Sequence, residues 1–212
     1  MNAISEPEVA AWRFTPANLR LKRGCDLLLS VLILTLMAPV MLLLGLAVKI
    51  NSPGPIVFKQ RRVGLHGEVI TIYKFRSMRT TDDGDVVEQA TRHDPRLTVI
   101  GALLRRSSLD ELPQFINVLQ GRMSIVGPRP HALAHDAHYR GLISGYAQRQ
   151  KVRPGITGWA QVSGWRGETD TLEKMQARVD HDLEYLKNWT IGLDLRIMLK
   201  TVKVMLGDSQ AH

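Results

Sequence analysis

Cysteine is nearly missing from this chain. Cys25 stands alone among 212 residues, so no intrachain disulfide can form and no cysteine–histidine spacing makes a standard zinc site. That usage fits a reducing, cytoplasmic surrounding for the folded part. Aromatic residues are scarce at 6%. With no zinc-finger or RNA-binding signature beside them, no nucleic acid partner is expected. A P-loop, a dinucleotide fingerprint and the kinase motifs are likewise missing, and there is no internal repeat. Acids are outnumbered, 20 Asp and Glu against 28 Lys and Arg, for a net charge of +8. Such a surplus points to an anionic partner, either lipid headgroups or a phosphorylated substrate.

What the chain has instead is one long uncharged run, Leu27 to Val48, "LLLSVLILTLMAPVMLLLGLAV". As a straight helix it would be roughly 33 Å long, enough to cross a bilayer core. It is too long for a cleaved leader, and "KINSPGP" after it is no cleavage site. Two membrane geometries remain: a single straight span, or a bent helix that enters and leaves by one face. Pro39 near the middle predicts a kink, with Ser30 and Thr35 placed to satisfy freed carbonyls. Basic residues mark the cytoplasmic side, and they stand on both flanks: Arg13, Arg20, Lys22 and Arg23 before, Lys49, Lys59, Arg61 and Arg62 after. That symmetry favours a re-entrant hairpin. Near the C-terminus, Leu195, Met198, Leu199, Val202 and Leu206 fall on one helical face, with Arg196, Lys200 and Lys203 on another and Trp189 near the start. Such a helix lies either in the headgroup region or on the protein core. The polar stretch Thr80 to Pro95 reads as a surface loop or short helix.

The chemistry centres on "SSLDELPQFINVLQGRMSIVGPRP", residues 107 to 130. Leu109, Leu112, Phe115, Ile116 and Leu119 predict an amphipathic helix, with Pro113 in its first turn. Asp110 and Glu111 then lie at its N-terminus. Ser107 and Ser108 are candidate caps, and Ser108 with Glu111 has capping-box spacing. Two adjacent acids there could be caps alone, could share a divalent cation, or could include a nucleophile toward phosphorus. Cations gather along the sequence around them: Lys74 and Arg76 at alternate positions of "YKFRSM", Arg105 and Arg106, Arg129 in "VGPRP", and Lys151 and Arg153 in "KVRPGITGWAQVSG". Cations converging on paired acids have the composition of a phosphoryl-transfer site. The glycines after Arg153 would let backbone approach a ligand. His131, His135 and His138 could share a helical face, but with no second ligand set they read as surface or interfacial histidines.

In this order, "KFRSM", "SSLDELPQFINVLQGRMSIVGPRP" and "KVRPGITGWAQVSGWRGETDTLEKM" after one apolar segment resemble the bacterial sugar transferases, monotopic polyprenyl-phosphate phosphoglycosyl transferases. The resemblance covers roughly Arg20 to Leu206. It implies an α+β, mainly helical fold: a loose tail over 1–19, a re-entrant membrane helix over 20–50, a cytoplasmic catalytic domain with short strands and interfacial amphipathic helices over 51–206, and a tail over 207–212. It also implies transfer of a sugar 1-phosphate from a UDP-sugar to undecaprenyl phosphate, with release of UMP, as the first membrane step in making a surface polysaccharide. By position Asp110 is the nucleophile, and Glu111 its partner as metal ligand or acid/base, the two sharing Mg2+. Arg105 and Arg129 match phosphate-gripping arginines. Lys74 and Asp182 match further polar positions, and Gln161 is another polar candidate beside the cations Arg76 and Arg153. The family's Ser-Pro break is Ala38-Pro39 here. The inner-membrane cytoplasmic face is the implied location, inner-membrane lipids are implied partners, and a homo-oligomer is compatible with all of this. "WRGETDTLEKM" resembles members that use UDP-glucose, with UDP-galactose and N-acetylated amino sugars as the alternative donors. A noncatalytic membrane anchor that binds anionic lipid would explain the charge and the apolar run, but not the acid pair.

Overall fold

A computed structural model describes residues 14–79, 94–167, 169 and 171–207. Residues 1–13 and 80–93, on which most of the expected N-terminal tail and polar loop fall, lie outside the described residues, as do the last five. The described chain is mainly helical, with four short strands.

Helix α1, Pro16–Asn51, carries the apolar run. It starts four residues before the expected boundary because Thr15 caps it, accepting from Asn18 N, and Pro16 stands at its first positions. Among the described residues it is the one helix long and apolar enough to cross a membrane. The helix assignment continues through Pro39. Its burial is inside out. Lys22, Asp26 and Ser30, four residues apart on one face, are buried, while Leu28, Leu32, Leu36 and Leu42 are exposed. Lys22 Nζ donates to Asp194 Oδ2 at 2.6 Å, and Asp26 accepts from Ser124 Oγ and Ile125 N. Arg23 caps carbonyls of Val118 and Leu119. Three flanking charges are therefore tied to the domain.

Strands β1, Val57–Val63, and β2, Val69–Phe75, form an antiparallel hairpin in which Phe58 faces Lys74. Helix α2, Val99–Ser107, follows. A 3-10 turn, Leu109–Glu111, precedes the short helix α3, Gln114–Leu119. Strand β3, Ser124–Val126, pairs parallel with β4, Gly155–Thr157, with helix α4, Leu133–Arg140, between them. Helix α5, Trp159–Val162, leads to α6, Leu172–Asn188, and α7, Ile191–Gly207.

Two apolar clusters hold these elements. The larger contains Met123, Val126, Tyr146, Val179, Leu186 and Ile197. The smaller is Val48, Phe75 and Leu104, with Met41, Leu44, Leu109 and Leu112 packed against it. It joins the C-terminal part of α1 to β2 and to the residues that flank the acid pair. In α7, Ile197 is fully buried while Leu195, Leu199 and Val202 are more than half exposed, so most of the predicted apolar face is turned away from the core. Trp189 is in the core, stacked on Phe14.

Candidate active site

Three segments converge on the acid pair: the end of β2, the turn at Leu109–Glu111 and the strap Gly127–Ala132. The expected single helix is broken. Ser108 takes a left-handed conformation (φ 56°), the turn after it is 3-10, and Pro113 starts α3. The capping box does not form. Ser107 Oγ donates back to Leu103 O and Leu104 O, Ser108 Oγ accepts from Arg166, and Glu111 N donates to Ser108 O. The Glu111 side chain is thereby left for other partners.

Those partners are cations. Glu111 Oε1 accepts from Lys74 Nζ at 2.8 Å and from Arg129 Nη2 at 2.6 Å. Burial alone would raise the Glu111 carboxyl, but Arg129 and then Lys74 outweigh it and hold the group well below the usual range. Asp110 differs. It is 6% exposed, and among the described residues none donates a hydrogen bond to its carboxylate. Burial pushes its carboxyl up to about 6 against the pull of Lys74, with the charge of Glu111 adding to the rise. At pH 7 about nine-tenths of it is ionised. The pair thus divides into one clamped anion and one anion with free lone pairs.

The strap that carries Arg129 is pinned along its length. Gly155 N donates to Pro128 O, and Val63 N to His131 O. Arg149 Nη2 donates to Arg129 O at 2.7 Å, while its Nε and Nη2 both reach Asp182 Oδ2. Arg149 Nη1 lies 2.9 Å from His131 Nδ1, and Tyr146 Oη lies 2.5 Å from the same atom. Since a guanidinium only donates, His131 Nδ1 is an acceptor and the ring is neutral. Burial, then Arg149, lowers its pKa well below the ordinary value.

Lys74, Arg129, Asp110 and Glu111 therefore meet. Arg105, with its Nη1 3.9 Å from Met78 Sδ, faces Asp110 closely enough to lower its pKa. Gln161 adjoins Arg129: both donate weakly to Ile156 O at 3.5 Å, and Gln161 Oε1 is buried without a partner. Asp182 stands one step behind, holding Arg149. Two residues go elsewhere. Arg76 binds the end of α1, and Arg153 donates to Gly121 O at 2.8 Å. His131 is a correction to the surface reading, being 5% exposed. Of the three glycines expected to approach a ligand, two approach the protein itself, because a Cβ on Gly155 or Gly158 would run into the backbone of Gly127, while Gly164 has open space beside it. Arg149 was not foreseen. Its partner is 33 residues away, and no local spacing signals such a pair.

The donor set suits a divalent cation, which proteins commonly hold through one or two carboxylates and the phosphates of a substrate. Asp110 offers both oxygens. Glu111 offers Oε2, whose contact with Arg129 Nη1 is long at 3.4 Å.

The bacterial sugar transferase family model matches residues 17–208. The chain belongs to that family. This family member is 59% identical over 202 residues to the UDP-glucose:undecaprenyl-phosphate glucose-1-phosphate transferase of Escherichia coli (strain K12), a match covering 95% of this chain and 44% of that protein. A Caulobacter vibrioides protein of the same name is 48% identical, covering 90% of this chain and 72% of the relative. An Aeromonas hydrophila UDP-N-acetylgalactosamine-undecaprenyl-phosphate N-acetylgalactosaminephosphotransferase is 39% identical, with 96% and 48% covered. The transferase chain spans 44%, 40% and 39% of the Escherichia, Klebsiella and Xanthomonas relatives.

Proposed function

We propose that the chain transfers glucose 1-phosphate from UDP-glucose to undecaprenyl phosphate in two displacements at Asp110. The observation that carries this is the division of labour in the acid pair. Glu111 is held by Lys74 and Arg129, while the Asp110 carboxylate has no hydrogen-bond donor among the described residues and is mostly ionised at neutral pH.

In the first displacement an Asp110 oxygen forms a bond to the β-phosphorus. The bond from that phosphorus to the bridging oxygen breaks, and UMP leaves with the electron pair. In the second, an oxygen of undecaprenyl phosphate attacks the aspartyl phosphate. The bond to Asp110 breaks and the carboxylate is restored. Arg129, Lys74 and Arg105 would face the negative oxygens, so that charge developing on the leaving phosphate meets cations in a mostly buried setting. Asp110 and Glu111 would hold Mg2+, which when bound neutralises diphosphate charge. The donor choice follows from the relatives named for UDP-glucose and from the "WRGETDTLEKM" resemblance.

The membrane part is a helix inserted from the cytoplasmic face and returning to it. Support comes from how the domain grips α1. Lys22 and Asp26 are paired and Ser30 is buried at one end, Gly45 and Val48 are buried at the other, and no residue over 31–44 is buried. A straight span would carry its two ends to opposite faces, beyond the reach of one domain. The exposed Leu195, Leu199 and Val202 of α7 would rest in the interface. Synthesis of a surface polysaccharide is the matching role.

The test is intact-protein mass spectrometry after incubation with UDP-glucose, magnesium and no acceptor. Wild type should gain one hexose phosphate, and Asp110→Asn none. Normal turnover by Asp110→Asn would sink the reading. A panel of UDP-sugars reads the donor preference by UMP release.

A further inference from the structure

Arg76 follows β2, two residues beyond Lys74, yet its side chain leaves the acid pair and turns to the end of α1. Nη2 donates to Ser52 O at 2.6 Å and Nη1 to Pro53 O. Its backbone N donates to Ile56 O at 2.9 Å. The side chain is buried, and Nε has no partner among the described residues. These carbonyls belong to the cap residue Ser52 and to Pro53, just past the last turn of α1, where a cation also meets the partial negative charge of the helix end. The turn is shaped around it. Gly54 has φ of +120°, and a Cβ there would collide with the guanidinium. Beside this clamp lies the smaller core cluster, in which Val48 of α1 and Phe75 of β2 pack with Leu104, and Leu109 and Leu112 close in from either side of the acid pair. The helix end and the residues that flank the acid pair thus share one packed cluster.

We propose that Arg76 is a positioning residue that fixes the depth of Asp110 relative to the membrane helix, and so governs the lipid half of the reaction rather than the nucleotide half. This rests on the transfer proposed above. UDP-glucose is soluble and reaches the acid pair at any depth, and the contacts of Glu111 with Lys74 and Arg129 do not involve Arg76. The acceptor phosphate is different, because its height is set by the bilayer. A carboxylate carried by a loosened helix junction meets that phosphate out of register, and displacement of a reacting group by 1 Å can cost about 10²-fold.

The two halves are read separately on the full chain in nanodiscs. Exchange of labelled UMP into UDP-glucose without acceptor reports the first. Product formation with undecaprenyl phosphate reports both. Arg76→Gln removes the cationic fork, Arg76→Lys keeps the charge with one donor group, and Gly54→Ala pushes on the clamp from the other side. Exchange should stay at the wild-type rate in all three. Acceptor-dependent turnover should fall about 10²-fold in Arg76→Gln, recover partly in Arg76→Lys, and fall again in Gly54→Ala. The proposal is overturned if exchange drops in step with turnover, or if turnover does not drop. A purified protein that is folded by circular dichroism in only one of the three still gives the ratio of the two rates, which decides. Lack of exchange in wild type would defeat the covalent reading itself and this proposal with it, a failure recognisable because it precedes any substitution.

Discussion

Asp110→Asn should kill the enzyme and stabilise it. The Asp110 carboxyl is buried and shifted up from 3.8 to about 6, burial being the first cause. A group whose folded pKa lies above its unfolded value binds protons better in the native state. Its ionisation therefore works against folding, and stability is lost as pH rises from the unfolded value through the folded one. A shift of this size corresponds to about 3 kcal/mol at pH 8 and about half that at pH 5, where the native carboxyl is largely protonated. An asparagine of the same shape carries no such penalty. For a chain of this length, the gain at pH 8 would raise Tm by about 6–12 °C. Thermal unfolding of both proteins in the same detergent, at pH 5 and pH 8, gives the comparison. The expected result is a higher Tm for Asp110→Asn at pH 8 and a difference that shrinks at pH 5. A variant no more stable than wild type at pH 8, or an advantage that does not change with pH, would refute the claim that Asp110 is an ionised carboxylate held at a cost to the fold.

Three further outcomes follow from the same geometry. In the proposed first displacement Asp110 attacks as the carboxylate, so UMP exchange should be half-maximal near pH 6 and fall below it; a flat profile between pH 5 and 8 would count against Asp110 as nucleophile. Glu111→Gln removes the shared anion of Lys74 and Arg129, and turnover by UMP release should drop by about 10²-fold or more, with an unchanged rate as the refuting result. Asp182→Ala leaves Arg149 buried without its carboxylate; breaking such a pair costs about 3–5 kcal/mol, read as a Tm lower by about 6–20 °C, and a change within 2 °C would show that the pair holds nothing.

The acid pair was legible because its residues are neighbours. Asp110, Glu111, Pro113 and the apolar spacing after them all lie within a dozen positions. The local geometry was less legible. Capping-box spacing at Ser108 and Glu111 described a real preference, but the two cations on Glu111 offer its side chain more than a backbone N–H does, and Ser108 was free to adopt φ 56°. Spacing states what a side chain can reach locally; it does not state which competitor the fold brings. Arg76 and Arg153 show the same limit. As residues in basic stretches they looked alike to Arg129, yet they bind carbonyls in the turns just past α1 and α3, because a turn that leaves carbonyls unpaired attracts whatever cation is near. The Arg149–Asp182 pair spans 33 residues and left no trace in any window.

The apolar run taught a different lesson. Read as a string, Lys22 and Arg23 were flanks of a hydrophobic segment, of interest for their charge, and Asp26 drew no reading at all. In the fold they are its anchor, with Lys22 on Asp194, Arg23 on the end of α3 and Asp26 on β3. Their partners lie about 100 to 170 residues away, so no hydropathy window could tell an anchor from a flank. The consequence bears on mechanism. On the membrane geometry proposed above, a helix with free flanks would leave the depth of the acid pair to the lipid. One fastened at Lys22 and Asp26, and again at Val48 and Ser52, makes the helix and the acid pair a single body. Asp194→Asn should then loosen the N-terminal fastening, since Asp194 also accepts from Tyr185 and Trp189 and its loss unbalances the buried Lys22 ammonium. With the acid pair itself untouched, acceptor-dependent turnover should fall more than UMP exchange. Equal loss of both rates would mean that the two ends of the helix do not act on depth, and that the domain finds the membrane by its surface charge alone.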